Sequence, residues 1–117
     1  MKDLNRIELK GRVGSVDSSR VVGNGTVTRF TLATNRSYKD ANGEWQTETT
    51  WHRLECWSGY GRVAPERIVR GQMMYVCGRI KQDQYTDQQG YDRQQTIVVV
   101  EECDIITEPP QDMPENL

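Results

Sequence analysis

The chain has 117 residues, 35% of them hydrophobic, which is enough for one small domain with a thin core, so contacts with further copies are expected to add to its stability. It lacks an apolar run of membrane-span length, and its start, Met1-Lys2-Asp3-Leu4, lacks a signal-peptide stretch, so a soluble, cytoplasmic protein with no membrane partner is expected. The net charge of −2 hides an asymmetry: residues 1–100 hold all 15 basic residues against 11 of the 17 acidic ones, and the remaining six acids (Glu101, Glu102, Asp104, Glu108, Asp112, Glu115) follow.

In chain order, Leu4 to Val16 alternates as a first strand, with Ile7, Leu9, Gly11 and Val13 on one parity and a bulge expected near Gly11 or Gly14. Gly23-Asn24-Gly25 signals a turn, and Thr26 to Thr34 is a β-branched and aromatic second strand with Phe30 and Leu32 inward. Tyr38 to Glu44 contains Asn42-Gly43, a hairpin signal, and leads into a third strand from Thr47 to Trp57. Gly59 to Arg70 is the helical candidate, regular after Ala64 because of Pro65 and ended by Gly71. A fourth strand spans Met73 to Lys81, and Asp87-Gln88-Gln89-Gly90 marks a second long hairpin. A fifth strand runs from Arg93 to Val100 and continues irregularly to Ile106. Pro109-Pro110 then breaks structure, leaving residues 108–117 as a short acidic flexible tail after a domain at 1–107.

Five strands with one short helix between the third and fourth, and two long β-hairpins, fit an all-β, five-stranded OB-fold barrel. An SH3-like barrel competes on pattern alone.

The third strand carries the chemistry. In Thr49-Thr50-Trp51-His52-Arg53-Leu54-Glu55-Cys56-Trp57, alternation puts Trp51, Arg53, Glu55 and Trp57 on one face, and Leu54 and Cys56 on the core face. Two indoles and a guanidinium on an outward face suit unpaired bases, since every base has an apolar π-face and arginine neutralises phosphate. The opposite arrangement, with both tryptophans in the core and Leu54 outward, stays open at this point. Tyr38 and Tyr85 each sit beside a hairpin with charges close by and are the next stacking candidates. Trp45, Tyr60 and Tyr91 are read as hairpin or subunit packing. Among the scattered basic residues, Arg36, Lys39, Arg53, Arg70 and Lys81 lie beside the aromatic face and are the candidate phosphate contacts.

Nothing reads as catalytic. There is no nucleophile elbow, Walker-type loop or paired-carboxylate motif, and His52 lies on the parity opposite Trp51. Cys56, Cys77 and Cys103 are odd in number, widely spaced and in strand-like runs, so they read as reduced small hydrophobes. With His52 the single histidine, neither a metal site nor another cofactor is expected.

Across about residues 4–106 the chain resembles the bacterial single-stranded DNA-binding protein (SSB) family. The resemblance is carried by Asn5-Arg6-Ile7-Glu8-Leu9-Lys10-Gly11-Arg12-Val13-Gly14, by Phe30 to Asp40, and most specifically by Thr50-Trp51-His52-Arg53. Arg70-Gly71, Tyr75-Val76-Cys77-Gly78-Arg79 and Tyr85-Thr86-Asp87-Gln88-Gln89-Gly90 follow in the family's order. It implies sequence-independent binding and protection of single-stranded DNA in replication, recombination and repair, with nucleoid association. It places the family's stacking aromatics on Tyr38, Trp51, Trp57 and Tyr85. It also implies a homotetramer whose dimers pair their first strands, with Arg6, Glu8, His52 and Tyr75 at subunit contacts. A second reading on the same fold is a replication-restart or protein-interaction module with weak DNA binding, favoured by the sparse basic content of Lys81-Gln82-Asp83-Gln84-Tyr85. The family recruits replication and repair proteins through a long linker and an acidic tip closing in Pro-Phe. Here the close is Asp112-Met113-Pro114-Glu115-Asn116-Leu117, so that partner class does not follow from the residues.

Overall fold

The computed structural model describes residues 2–58 and 65–107. The strands are β1 (Ile7–Val16), β2 (Arg20–Val22), β3 (Gly25–Lys39), β4 (Trp45–Trp57), β5 (Met73–Thr86) and β6 (Asp92–Thr107). In the sheet the neighbours run β1-β5-β6-β4-β3-β2, and β1 pairs back onto β3. The strands β1, β5, β6, β4 and β3 therefore close into the five-stranded barrel expected from the sequence. All pairings are antiparallel except the short seam of β4 and β6 at Leu54↔Val98 and Glu55↔Val99.

Closure depends on β1 serving two neighbours. Its first half, Ile7 to Arg12, pairs with β5, and its second half, from Arg12, pairs with β3. The pairing slips between Val13 and Val16, which places the expected bulge at Gly14–Ser15 rather than at Gly11. A bulge bends its strand, and here it turns β1 from one partner to the other.

Alternation then fills the interior. Val13, Phe30, Leu32, Leu54, Cys56, Met74, Val76, Val98, Val100 and Cys103 meet in one core, joined by Ile68 from the connection ahead of β5. Within that connection the described part of the helical candidate is a single 3-10 turn, Pro65–Arg67; residues 59–64, with Tyr60, lie outside the described residues. Buried Gln72 pins it, accepting the Val69 N–H at 3.0 Å and donating to the Arg67 carbonyl at 2.9 Å. Cys56, Cys77 and Cys103 are free and buried. The neighbouring Cys103 thiol, and then burial, push the Cys56 thiol up, so it stays protonated. The acidic tail expected at 108–117 lies outside the described residues.

Two hairpins project beyond the barrel. The β3–β4 register is unbroken from Val27↔Trp57 to Lys39↔Trp45, and β5–β6 continues to Thr86↔Asp92. Both end in the same turn. Asp40 and Asp87 each accept two backbone N–H bonds through Oδ1 (from Asn42 and Glu44, and from Gln89 and Tyr91), at 2.9–3.0 Å. Gly43 and Gly90 supply the positive φ, 79° and 85°, that such a turn requires. These carboxylates are held below the ordinary aspartate value. The first cause for Asp40 is the Glu44 N–H, and for Asp87 the Arg93 guanidinium.

Candidate nucleic-acid interface

On β4, alternation sets Trp45, Thr47, Thr49, Trp51, Arg53, Glu55 and Trp57 on one face, and the unbroken register carries it from the hairpin onto the barrel. Leu54 and Cys56 are in the core, so the arrangement with Leu54 outward is excluded. By register, Arg29 and Thr31 of β3 lie on this face opposite Glu55 and Arg53. Lys81, Asp83 and Tyr85 of β5, opposite Ile97, Gln95 and Arg93 of β6, continue it onto the second hairpin.

An open groove of about 660 Å³ runs between these strands, lined by Trp51, Arg53, Arg29, Thr31, Asp17, Asp83 and Gln95 among others. Trp51 forms its wall, 49% exposed. The indole lies across β1 at Gly14: a Cβ there would stand 2.5 Å from Trp51 Cζ3 and 2.7 Å from Thr31 Oγ1. The glycine at the β1 bulge is thus what lets a large ring lie against the barrel. Arg53 donates from Nη1 to Gln95 Oε1 at 3.0 Å, and it lines the groove with Asp17 and Asp83 without being drawn into an ion pair with any described residue.

The other candidates sit as follows. Trp57 is half-buried, its ring edge 3.5 Å from where a Cβ on Gly25 would be, in line with Trp51 but beyond the groove lining. Tyr85 is exposed on the second hairpin, paired across the ladder with Arg93. Tyr38 pairs with Gln46 and so lies on the other face of its ribbon from Trp51. Its cation is Arg36, 5.0 Å above the ring and bridged to Glu48 at 3.4 Å. Lys39 stands 5.5 Å over Trp45. Arg70 lies in the turn before β5 and does not line the groove. Lys81 points its ammonium at Glu55, 3.0 Å from Oε1. The groove therefore gathers Trp51 and Arg53, aligns Trp57, Lys81 and Tyr85 with them, and leaves Tyr38, Arg36 and Arg70 elsewhere.

Sequence reasoning gave three residues here no part in the interface. Trp45 is 69% exposed and shares parity with Trp51, a signal present in the spacing. Arg29 becomes a groove residue through its pairing with Glu55, which only the strand register reveals. Glu55 faces outward as alternation requires, yet it is 2% exposed, because Arg29 and Lys81 close over it.

Of the residues assigned to subunit contacts, Arg6 just before β1, Glu8 of β1 and the half-buried Tyr75 of β5 form one cluster at the surface. The Tyr75 hydroxyl donates to Glu8 Oε2 at 2.6 Å, and Arg6 Nη2 is 4.0 Å from the same oxygen. That bond to the carboxylate, more than burial, pushes Tyr75 up to about 12. His52 stands apart from them, its Nε2 2.9 Å from Thr34 Oγ1, beside Ile7 and Ile80 in a second depression. Burial lowers its pKa. Among the described residues, no group of three His, Cys, Asp or Glu could hold a metal ion, and no helix is long and apolar enough to cross a membrane.

A closed five-stranded barrel with an open groove across β3 and β4, lined by Trp51, two arginines and two aspartates, is an OB fold. More narrowly, the chain belongs to the single-strand binding protein family, whose family profile matches residues 4–106. The single-stranded DNA-binding proteins of Xylella fastidiosa and Xanthomonas axonopodis pv. citri are 32% and 31% identical to it over 106 residues, 90% of this chain. The chain spans 65% and 59% of the length of those relatives. Among solved structures, the Plasmodium falciparum SSB complex with ssDNA is similar at TM-score 0.72 and 28% identity, covering 91% of this chain and 96% of that one. A deletion mutant of the Thermus aquaticus single-stranded DNA binding protein shares the fold at TM-score 0.70 and 22% identity, covering 89% of this chain and 51% of that one.

Proposed function

We propose that this chain binds single-stranded DNA without sequence preference and, by coating it, blocks reannealing and nuclease attack during replication, recombination and repair. The observation that carries this reading is Trp51: a half-exposed indole laid over Gly14 on the wall of an open groove, in line with Trp45 and Trp57 and next to the Arg53 guanidinium. Bases stack on Trp51, with Trp45 and Tyr85 extending the track toward the two hairpins, Trp57 extending it to the opposite end of β4, and Tyr38 serving the outer ribbon face. Arg53 and Lys39 meet phosphates, with Arg36 beside Tyr38 and Arg70 as outlying contacts. Stacking is indifferent to base identity, and the phosphate contacts make affinity fall with salt. The likeness to a solved SSB bound to ssDNA supports this reading. The protein acts by binding rather than by turnover, needs no cofactor or metal, and works as a cytoplasmic, nucleoid-associated homotetramer through the Arg6–Glu8–Tyr75 patch, with His52 as a separate contact.

A titration with poly(dT), followed by tryptophan fluorescence at low and high salt, tests it. Quenching that weakens with salt is expected, and no quenching at either salt overturns it. A second reading, a protein-interaction module on the same fold, draws on the two carboxylates Asp17 and Asp83 that line the groove. It predicts that null result.

A further inference from the structure

Glu55 is out of place for a surface that meets phosphates. It sits on the outward face of β4 between Arg53 and Trp57, and its side chain is 2% exposed. Its carboxylate engages one cation with each oxygen. Oε2 accepts from Arg29 Nε at 3.2 Å, with Nη2 also at 3.2 Å, and Oε1 lies 3.0 Å from Lys81 Nζ. Arg29 comes from β3, directly opposite Glu55, and Lys81 from β5, so the carboxylate ties three strands. The cations cover it and are themselves 47% and 37% exposed. They present their remaining donors to the face where Arg53 stands, but their charge is already countered from below.

A phosphate oxygen and a carboxylate oxygen ask the same thing of an arginine or lysine, namely charge-assisted N–H donation. A surface cation that neutralises a phosphate releases a counterion condensed on the nucleic acid, and that release gives binding its salt dependence. A cation already neutralised by a carboxylate fixed on a β-strand has less charge to give a phosphate, because that carboxylate cannot leave. We propose that Glu55 is an internal phosphate mimic that acts as a brake: it claims Arg29 and Lys81 in advance and holds down both the affinity for single-stranded DNA and its salt dependence. The inference rests on the reading that this face binds the strand. It makes Glu55 a positioning residue, acting through two cations and touching no nucleotide, and it explains how a chain can carry an aromatic track beside a groove of balanced charge.

The test is the poly(dT) fluorescence titration over a range of salt, on the full chain and its variants, with thermal unfolding recorded on each. Glu55→Gln keeps the shape and removes the charge. It is expected to bind about five- to ten-fold more tightly at low salt, with a steeper log–log salt dependence and a gain that shrinks as salt rises. Lys81→Gln is expected to weaken binding more in the E55Q background than in the wild type. Equal or weaker binding by a folded E55Q overturns the brake, as does an equal effect of Lys81→Gln in both backgrounds. Should E55Q not fold, the wild-type background decides. There, Arg53→Gln, which removes an uncountered cation, lowers the salt slope by about 0.7, as one lost phosphate contact does on a single strand. Lys81→Gln is expected to lower it by less than half as much, and an equal drop overturns the brake. Wild-type binding to poly(dT) with an unmoved E55Q sinks the brake alone, whereas no wild-type binding sinks the functional reading and the brake with it.

Discussion

Trp51 is held in place by what β1 lacks. A strand face normally presents a Cβ every second residue, and an indole cannot lie flat on such a row. At Gly14 the row has a gap, and the ring fills it: the Cβ of any other residue would fall 2.5 Å from Cζ3. Thr31, beneath the same spot, is engaged by the Ser15 N–H at 2.9 Å, so the floor of the gap is fixed as well. A single methyl group should therefore move the ring. Gly14→Ala is expected to shift the tryptophan emission and to lower poly(dT) affinity about ten-fold, within the roughly 1–3 kcal/mol that one stacked base is worth. Thermal unfolding should show a smaller loss than burial of an equal misfit in the core, since a half-exposed ring can swing outward. Affinity equal to wild type would mean that the seat of Trp51 over Gly14 is irrelevant to binding. The pairing of Trp51 with Gly14 was hidden in the sequence: the glycine showed as a possible bulge and the tryptophan as an outward ring, but 37 residues separate them and no local pattern joins the two.

The two long hairpins are one device used twice. Asp40 and Asp87 close their turns with the same pair of side-chain to backbone bonds, and each is followed by an exposed aromatic with a cation over it: Lys39 at 5.5 Å from Trp45, and Arg93 at 6.0 Å from Tyr91. Arg93 also donates from Nε to Asp87 Oδ2 at 2.8 Å, so the second turn is tied to the strand that faces Tyr85. Both turns were legible from Asn42-Gly43 and from Asp87 to Gly90. The length of the ladders was not: β3 runs on to Lys39 and β5 to Thr86, through residues that are polar on both faces and so lack the alternation that marks a strand. Nor was β2, whose Arg20–Val22 is three exposed residues with no core side. The sign of the pH effect follows from the depressed carboxylates. A group whose folded pKa lies below its unfolded value contributes stability that is complete above the unfolded value and is lost as pH falls through the folded one. Both turns should therefore be intact at neutral pH and open only below about pH 4, the ordinary aspartate range. In Asp87→Ala the second turn should already be loose at neutral pH, read as faster hydrogen exchange at the Gln89 and Tyr91 amides, while the Asp40 turn keeps its protection in the same sample. Poly(dT) affinity should fall about two- to five-fold as Tyr85 and Arg93 lose their fixed positions, a fraction of one stacked base. Unchanged exchange at both amides would show that the carboxylate does not hold the turn.

At the scale of the molecule, the function proposed above gives the outward face of β1 two tasks. Glu8 and Gly14 lie on the same parity, six residues or about 20 Å apart. One end carries the Arg6–Glu8–Tyr75 cluster and the other carries Trp51, so a second copy could cover the first without closing the groove. The barrel was legible because its core residues alternate along the strands, as Phe30 and Leu32, Leu54 and Cys56, Met74 and Val76, and Val98 and Val100 do. The division of β1 was not legible, because it depends on which strand each half pairs with. The separation makes a prediction that light scattering and titration on one sample can decide. Trp51→Ala should bind poly(dT) more weakly at unchanged molar mass. Tyr75→Ala removes the hydroxyl that donates to Glu8, and it should lower the mass while leaving affinity for a short oligonucleotide near that of the wild type. Its affinity for long poly(dT) should fall further, since linked sites on one assembly raise the effective concentration of each next contact and separate subunits do not. A drop in mass for Trp51→Ala, or an intact assembly with weakened short-oligonucleotide binding for Tyr75→Ala, would show that groove and assembly surface are one and the same.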